Sequence, residues 1–366
     1  MGAGTVKVGH AALRPGRQIE MRSNEQNSIV SVERLEELLS EPSEAVINAL
    51  SRVEGDILLL GIGGKMGPSL ARMAKRASEI GGAQRRIIGV SRFSDRQLEI
   101  KLRSFGIETI RADLLAESEV ARLPDAPNVI FMTGMKFGSS GQEATTWAMN
   151  TYVPALVCRR YPQATQIVFS TGNVYGLVPI ASGGSRETDP LNPVGEYAIS
   201  CLGRERIFEY FSRSSQAPMA VIRLNYASEL RYGVLVDVAK RVWAEEPIDL
   251  AIGYLNAIWL GDANAMALQA FGHASSPPFV INVTGPEQLS VREVAQQFGS
   301  LMGKAVTFSG SETSTALLNN SQPAFKLFGR PRMSAGQMIR WVADWIMRRQ
   351  PTLGKPTHFE SRDGKF

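Results

Sequence analysis

Gly61, Gly64 and Gly67 stand three residues apart, where the apolar run Ile57-Leu58-Leu59-Leu60 gives way to a segment of helical periodicity. Glycines at such a junction do phosphate chemistry without side chains. Gly61 permits a tight turn out of a strand, Gly64 lets a pyrophosphate approach the backbone, and Gly67 lets the following helix pack close. Amides of the first helical turn then point at the anion, and aligned peptide dipoles place roughly half a positive charge there. Ile62, Gly63, Lys65 and Met66 complete the loop, with Lys65 adding charge. A merely flexible loop does not account for a buried strand before it and an amphipathic segment over residues 66–80 after it.

Other chemistries have little to be built from. His10, His273 and His358 lie far apart, so neither a metal site nor a serine-histidine triad is expected. Cys158 and Cys201 fall in expected helices and offer no disulfide framework; a reducing compartment fits them. The 366 residues carry a net charge of +5, but the basic residues are scattered in isolated pairs such as Arg85-Arg86 and Arg348-Arg349, so no nucleic-acid partner is expected. No apolar run reaches the roughly twenty residues of a membrane span, and the start lacks a signal-peptide core, so the expectation is a soluble, cytoplasmic protein with no membrane partner. With 44% hydrophobic and 20% charged residues the chain is globular.

The elements that must position the glycine loop follow from periodicity. Strand-like and helix-like stretches alternate: strands at 86–90, 108–110, 128–132, 166–170 and 219–224, helices at 94–105, 118–123, 143–160 and 195–213. That alternation implies an α/β fold, a doubly wound parallel sheet of Rossmann type that binds ligands beyond the carboxyl ends of its strands. Residues 1–55 form a polar segment, with Met21 as an alternative start, followed by two short helices, the first capped by Ser31, that act as a brace or an oligomer contact. Residues 56–225 are mainly the dinucleotide-binding domain. Residues 226–350 are mainly a smaller interleaved substrate lobe, built largely from helices at 263–271, 291–302 and 334–348. Residues 351–366 are polar without periodicity and read as an arm or frayed tail.

Several pieces, in order, resemble the extended short-chain dehydrogenase/reductases, the NAD-dependent epimerase/dehydratase family. They are Gly61-Ile62-Gly63-Gly64-Lys65-Met66-Gly67, Asp113-Leu114, Phe131-Met132-Thr133-Gly134-Met135-Lys136, Val168 to Gly176, the approach Glu187, Pro190, Pro193 to Tyr197, and Phe279 to Gly285 with Leu289-Ser290-Val291. The resemblance implies that Asp113 and Leu114 contact adenine, that Met132, Thr133 and Lys136 touch the cofactor, that Thr171 and Tyr197 are catalytic, and that 279–285 belongs to the substrate lobe. It also implies a homodimer through the helices at 143–160 and 195–213. After the second strand, NAD enzymes place an acid on the ribose and NADP enzymes a cation on the extra phosphate. Here Ser91-Arg92 stand there with no acid before Asp95, so the cofactor is NAD(P), with Arg92 favouring NADP.

One departure bears on chemistry. The family's tyrosine is followed four residues later by lysine, which lowers the phenol's pKa from about 10; this chain has Tyr197-Ala198-Ile199-Ser200-Cys201. Losing two units of that activation slows general-base work about a hundredfold. Three readings stand side by side. Arg204, on the same helical face, supplies part of the missing field and the protein is an enzyme; or it binds dinucleotide without turnover, as a sensor; or Cys201 is itself chemical. Within the enzyme reading, Gly172-Asn173 stand where dehydratases carry Asp-Glu, which disfavours dehydration and leaves epimerisation or oxidoreduction of a polyhydroxylated substrate, a sugar or sugar derivative. Arg231, Tyr232 and Trp259 are candidate lining residues for it.

Overall fold

The run Ile57–Leu60 is apolar throughout because both its faces are covered: Ile57 and Leu59 join one core, Leu58 and Leu60 the other, and all four are fully buried. Burial of each such side chain contributes about 2 kcal/mol. The computed structural model describes residues 28–136 and 141–365; Met21 and His10 lie outside them.

Strands β1 (Ile57–Leu60), β2 (Ile87–Ser91), β3 (Glu108–Arg111), β4 (Asn128–Phe131), β5 (Thr165–Thr171), β6 (Met219–Leu224) and β7 (Phe279–Val283) form one parallel sheet ordered β7-β6-β5-β4-β1-β2-β3. The order reverses between β1 and β4, which opens a crevice at their carboxyl ends. The expected doubly wound Rossmann-like fold is the fold found. Helices α1 (Val32–Leu39), α2 (Glu44–Leu50), α3 (Gly67–Ile80), α4 (Arg96–Ser104), α5 (Glu117–Ala121), α6 (Glu143–Trp147), α7 (Val153–Arg160), α8 (Gly195–Ser215), α9 (Val234–Trp243), α10 (Leu260–Gln269), α11 (Val291–Met302), α12 (Gln322–Phe328) and α13 (Ala335–Met347) cover it and build the lobe.

Four sequence expectations are corrected. The strand 279–283, assigned to the lobe, is the seventh strand of the main sheet, paired with β6 from Phe279↔Ala220 to Val283↔Leu224. Helix α10 packs with it on the sheet side, because Ala263, Ala265, Ala267 and Ala270 leave it small enough to lie buried between α2 and α3; the lobe core comes from α9, α11 and α13 instead. The helix expected over 143–160 is interrupted by a π-helical turn, Ala148–Tyr152, because Pro154 has no N–H to return to the carbonyl of Asn150. The tail is not frayed: Thr357 donates from both N–H and hydroxyl to Asp237, Arg362 donates to Ala251, Thr313 and Thr315, and Phe359 is buried.

The amino-terminal helices are a brace. Ser31 accepts from the N–H of Arg34, as its capping role requires, and Ser43 caps α2 in the same way. Leu35 and Leu39 of α1 sit in the lobe core, while Val46 and Leu50 of α2 sit in the sheet core. Glu36 pairs with both Arg231 (3.1 Å) of the lobe and Lys101 (2.5 Å) of α4.

Candidate functional site

The first βα turn leaves β1 through Gly61, whose φ of +90° and whose missing Cβ, which would lie 2.7 Å from Thr133 Oγ1, both require glycine. A Cβ on Gly67 would lie 2.2 Å from the carbonyl oxygen of Ile62, so only glycine lets α3 start this close to the loop. On Gly64 a Cβ meets protein only at 3.4 Å, on the Gly61 carbonyl, leaving its outer side to a ligand. Met66, the N-cap of α3, makes no side-chain bond to the first turn, so those amides are not capped by the preceding side chain. Thr133 Oγ1 is buried beside the loop with no hydrogen-bond partner among the described residues, a hydroxyl placed to meet a ligand. These features fit the diphosphate of a dinucleotide.

A cleft of about 950 Å³ runs from this loop across the carboxyl ends of β4 and β5 into the lobe. Of the residues singled out in the sequence it brings together Gly61, Gly63, Gly64, Lys65, Met66, Arg92, Met132, Thr133, Lys136, Thr171 and Tyr197. Ile62 and Gly67 lie beneath it, buried, and Ser91 packs against Gly63. Asp113 and Leu114 do not line it: Leu114 is in the core and Asp113 accepts the N–H of Leu115. Asp95 caps α4 by accepting from Gln97 and Leu98, so the stretch after β2 presents Arg92 and no acid to the cleft. Of the lobe candidates Tyr232 lines the cleft, whereas Arg231 is paired with Glu229 and Glu36, and Trp259 is buried against Trp341. The tail contributes Gly354 to His358, which no periodicity announced.

Electrostatically the cleft is one-signed. Lys65, Arg92, Lys136, Arg204 and Lys355 line it, and no carboxylate does among the described residues. Burial first, then the positive charges of Lys355 and Lys136, push Lys65 down to about 7, with Asp237 pulling the other way. Its ammonium lies 3.4 Å from the ring centroid of Tyr232, so it also joins the loop to the lobe.

At the far end, Thr171 Oγ1 accepts from the backbone N–H (3.2 Å) and side-chain amide (2.8 Å) of Asn173, which leaves its own proton for Tyr197. The Tyr197 hydroxyl is hydrogen-bonded to Thr171 and Cys201; burial and Cys201 raise its phenol above the ordinary value, and Arg204 and Thr171 act against them. Cys201 is fully buried with Val174 and Tyr175, and burial raises its thiol as well, so it faces Tyr197 rather than the cleft. Arg204 donates to the Phe169 carbonyl (2.8 Å) and to Asn150 Oδ1 (2.6 Å), and Asn150, turned inward at the π-turn, also holds Ser200 (2.9 Å) and both backbone polar groups of Met135.

The model of the NAD dependent epimerase/dehydratase family matches residues 57–229. Those residues are similar to that family, and they span the glycine loop, Thr171 and Tyr197. No curated protein matches the chain. Among solved structures, Pal from Bacillus thuringiensis (TM-score 0.67, 16% identity) is covered over 100% of its length by 81% of this chain. UDP-glucuronic acid 4-epimerase from Bacillus cereus in complex with NAD gives TM-score 0.66 at 19% identity, with 80% of this chain on 96% of that one. UDP-glucose 4-epimerase from Thermotoga maritima with UDP-glucose gives 0.66 at 15%, with 80% on 99%. At these identities the structural likenesses show the fold alone.

Proposed function

We propose that the chain is an NAD(P)-dependent enzyme that moves hydride at a secondary alcohol, or its carbonyl, of a polyhydroxylated substrate such as a sugar or sugar derivative. The observation that carries this is a cleft that, among the described residues, is free of acids, with a glycine cradle and a Thr133 hydroxyl without a described partner at one end and the linked Thr171 and Tyr197 hydroxyls at the other. The glycine loop holds the diphosphate, and Arg92, without a competing acid, favours NADP. When bound, the nicotinamide accepts or returns the hydride. As the alcohol carbon is oxidised, Tyr197 takes the hydroxyl proton while Thr171, aimed by Asn173, hydrogen-bonds the same oxygen; in the reverse direction the phenol returns it. Cys201 is enclosed and neutral, so its part is to pack against the phenol. Gly172 and Asn173 bring no carboxylate for elimination, which favours epimerase or dehydrogenase over dehydratase. The exposed Trp147, Tyr152, Ile199 and Tyr210 on the segments around α6 and α8 support a homodimer; sedimentation at twice the chain mass is expected, and a single-chain mass overturns it.

One observation favours a second reading. The raised phenol of Tyr197 suits a dinucleotide sensor that does not turn over. The deciding experiment offers NAD and NADP in a calorimeter, then a panel of sugars and sugar acids while nicotinamide absorbance is followed. A dinucleotide is expected to bind, and absorbance to change with at least one substrate; binding without turnover selects the sensor, and no binding removes both. Because Lys65 sits at about 7 and a diphosphate raises it again, binding takes up a proton between the two values. Affinity is therefore flat below about 7 and falls above it by up to about tenfold per pH unit, a slope that Lys65→Met removes.

A further inference from the structure

We propose that Lys136, from the loop after β4, takes the place of the lysine that α8 lacks, setting a positive charge against the phenol of Tyr197. The inference rests on the reading of Tyr197 as the proton-transfer group. The Lys136 ammonium lies 5.6 Å from the centroid of the Tyr197 ring, and both side chains line the same cleft. The resemblance assigned this lysine to the cofactor alone.

Among the described residues four groups bear on Tyr197. From its own helix come Cys201, one turn on and neutral, and Arg204; from β5 comes Thr171; from the β4 loop comes Lys136. Arg204 is permanently charged and tied to the Phe169 carbonyl and Asn150, so it gives a fixed background field. Lys136 is different in kind: burial lowers it to about 8, with Cys201 acting the other way, so its proton is exchangeable near neutral pH. A unit charge at this distance, at the effective dielectric that suits protein sites, is worth about one to two pH units on the phenol. That is the activation whose loss the Cys201 substitution implies.

The test moves the charge. The ultraviolet difference signal of tyrosinate, taken against Tyr197→Phe to isolate this residue, is titrated in the chain, in Lys136→Met, and in Lys136→Met with Cys201→Lys, each with and without NAD or NADP. In Lys136→Met the apparent phenol pKa is expected to rise by about one to two units. Turnover near neutral pH is expected to fall about 10- to 100-fold, in kcat rather than KM, with its pH profile displaced to higher pH. Adding Cys201→Lys, which restores a lysine one helical turn from the phenol, returns both values toward those of the chain. An unchanged tyrosinate titration in Lys136→Met and in Lys136→Gln overturns the inference, as does a loss in Lys136→Met that Cys201→Lys leaves unrepaired in a folded, dinucleotide-binding protein. Failure of every variant and the parent to turn over leaves the tyrosinate arm to decide, so it strikes the enzyme reading and not this one.

Discussion

Tyr197→Phe lowers turnover by about 10²- to 10⁴-fold while dinucleotide affinity stays within about twofold. The substitution removes one oxygen and nothing else. The ring keeps its place on α8 and its contact with the Lys136 ammonium, and the glycine loop at the opposite end of the cleft is untouched. What disappears is the phenol hydroxyl bonded to Thr171 and Cys201 where Tyr197 and Thr171 meet the cleft. Thr171 alone can hydrogen-bond an alcohol oxygen but not hold its proton near neutral pH, so hydride transfer proceeds against a charged or poorly solvated oxygen. Single-turnover absorbance with the substrate found active reads the effect directly, and a fall confined to kcat marks an interaction made in the transition state. Unaltered turnover removes the phenol from the reaction; a silent substitution in a protein that binds dinucleotide but turns nothing over is the signature of the sensor.

The cradle and the sheet were legible because local and global demands coincide there. Ile57–Leu60 has no polar residue because it has no solvent face, and two of the glycines after it answer contacts found in the fold, Gly61 against Thr133 and Gly67 against Ile62. Thr171 and Tyr197 were placed by resemblance, and they come together although 26 residues apart because β5 ends where α8 begins its first turns. The lobe was less legible. Phe279–Val283 carries the apolar signal of any buried strand, and no periodicity says which sheet it joins; its pairing with β6 is a tertiary choice. Helix α10 hides for the related reason that a helix buried on all sides has no amphipathic face to read. The tail is held by side-chain bonds to single residues, Thr357 to Asp237 and Arg362 to the 313–315 segment, and by the close approach of Gly364 to Gly195 at the start of α8. Such contacts leave no pattern along the chain. The resemblance gave Lys136 to the cofactor, and its place 5.6 Å from the centroid of the Tyr197 ring is a neighbourhood that no pattern along the chain announces.

Glu205→Ala is expected to destabilise the protein by about 3–5 kcal/mol, the largest single loss anticipated outside the cleft. The register sets Ser170, Arg223 and Asn282 side by side on β5, β6 and β7, a polar row across the interior of the sheet. Glu205, reaching in from α8, takes Arg223 Nη2 at 2.7 Å and Nε at 3.1 Å, and accepts the Ser170 hydroxyl; the two side chains of the pair are 5% and 6% exposed. Arg223 Nη1 donates to the Tyr175 hydroxyl (2.7 Å), which donates to Asn282 Oδ1 (2.9 Å), while the Asn282 N–H is bound by Glu187 (2.8 Å). Burial alone would lower Arg223, yet the bonds and charge of Glu205 hold it above its ordinary value, so the guanidinium stays charged where water cannot reach it. Removing Glu205 strands that charge, whereas replacing both partners, as in Arg223→Met with Glu205→Leu, removes the penalty along with the pair and recovers most of the loss. Thermal unfolding should show a fall of roughly 4–7 °C for the single variant and a much smaller one for the double. A fall below about 2 °C for Glu205→Ala would mean that water or another acceptor reaches Arg223. Under the proposed function the row also bears on the site, because Ser170 precedes Thr171 and Glu205 lies on the helix of Tyr197: the pair fixes the strand end and the helix that carry the two hydroxyls. A destabilised Glu205→Ala protein should therefore lose turnover even at temperatures where it remains folded, and the double variant should regain stability before it regains rate.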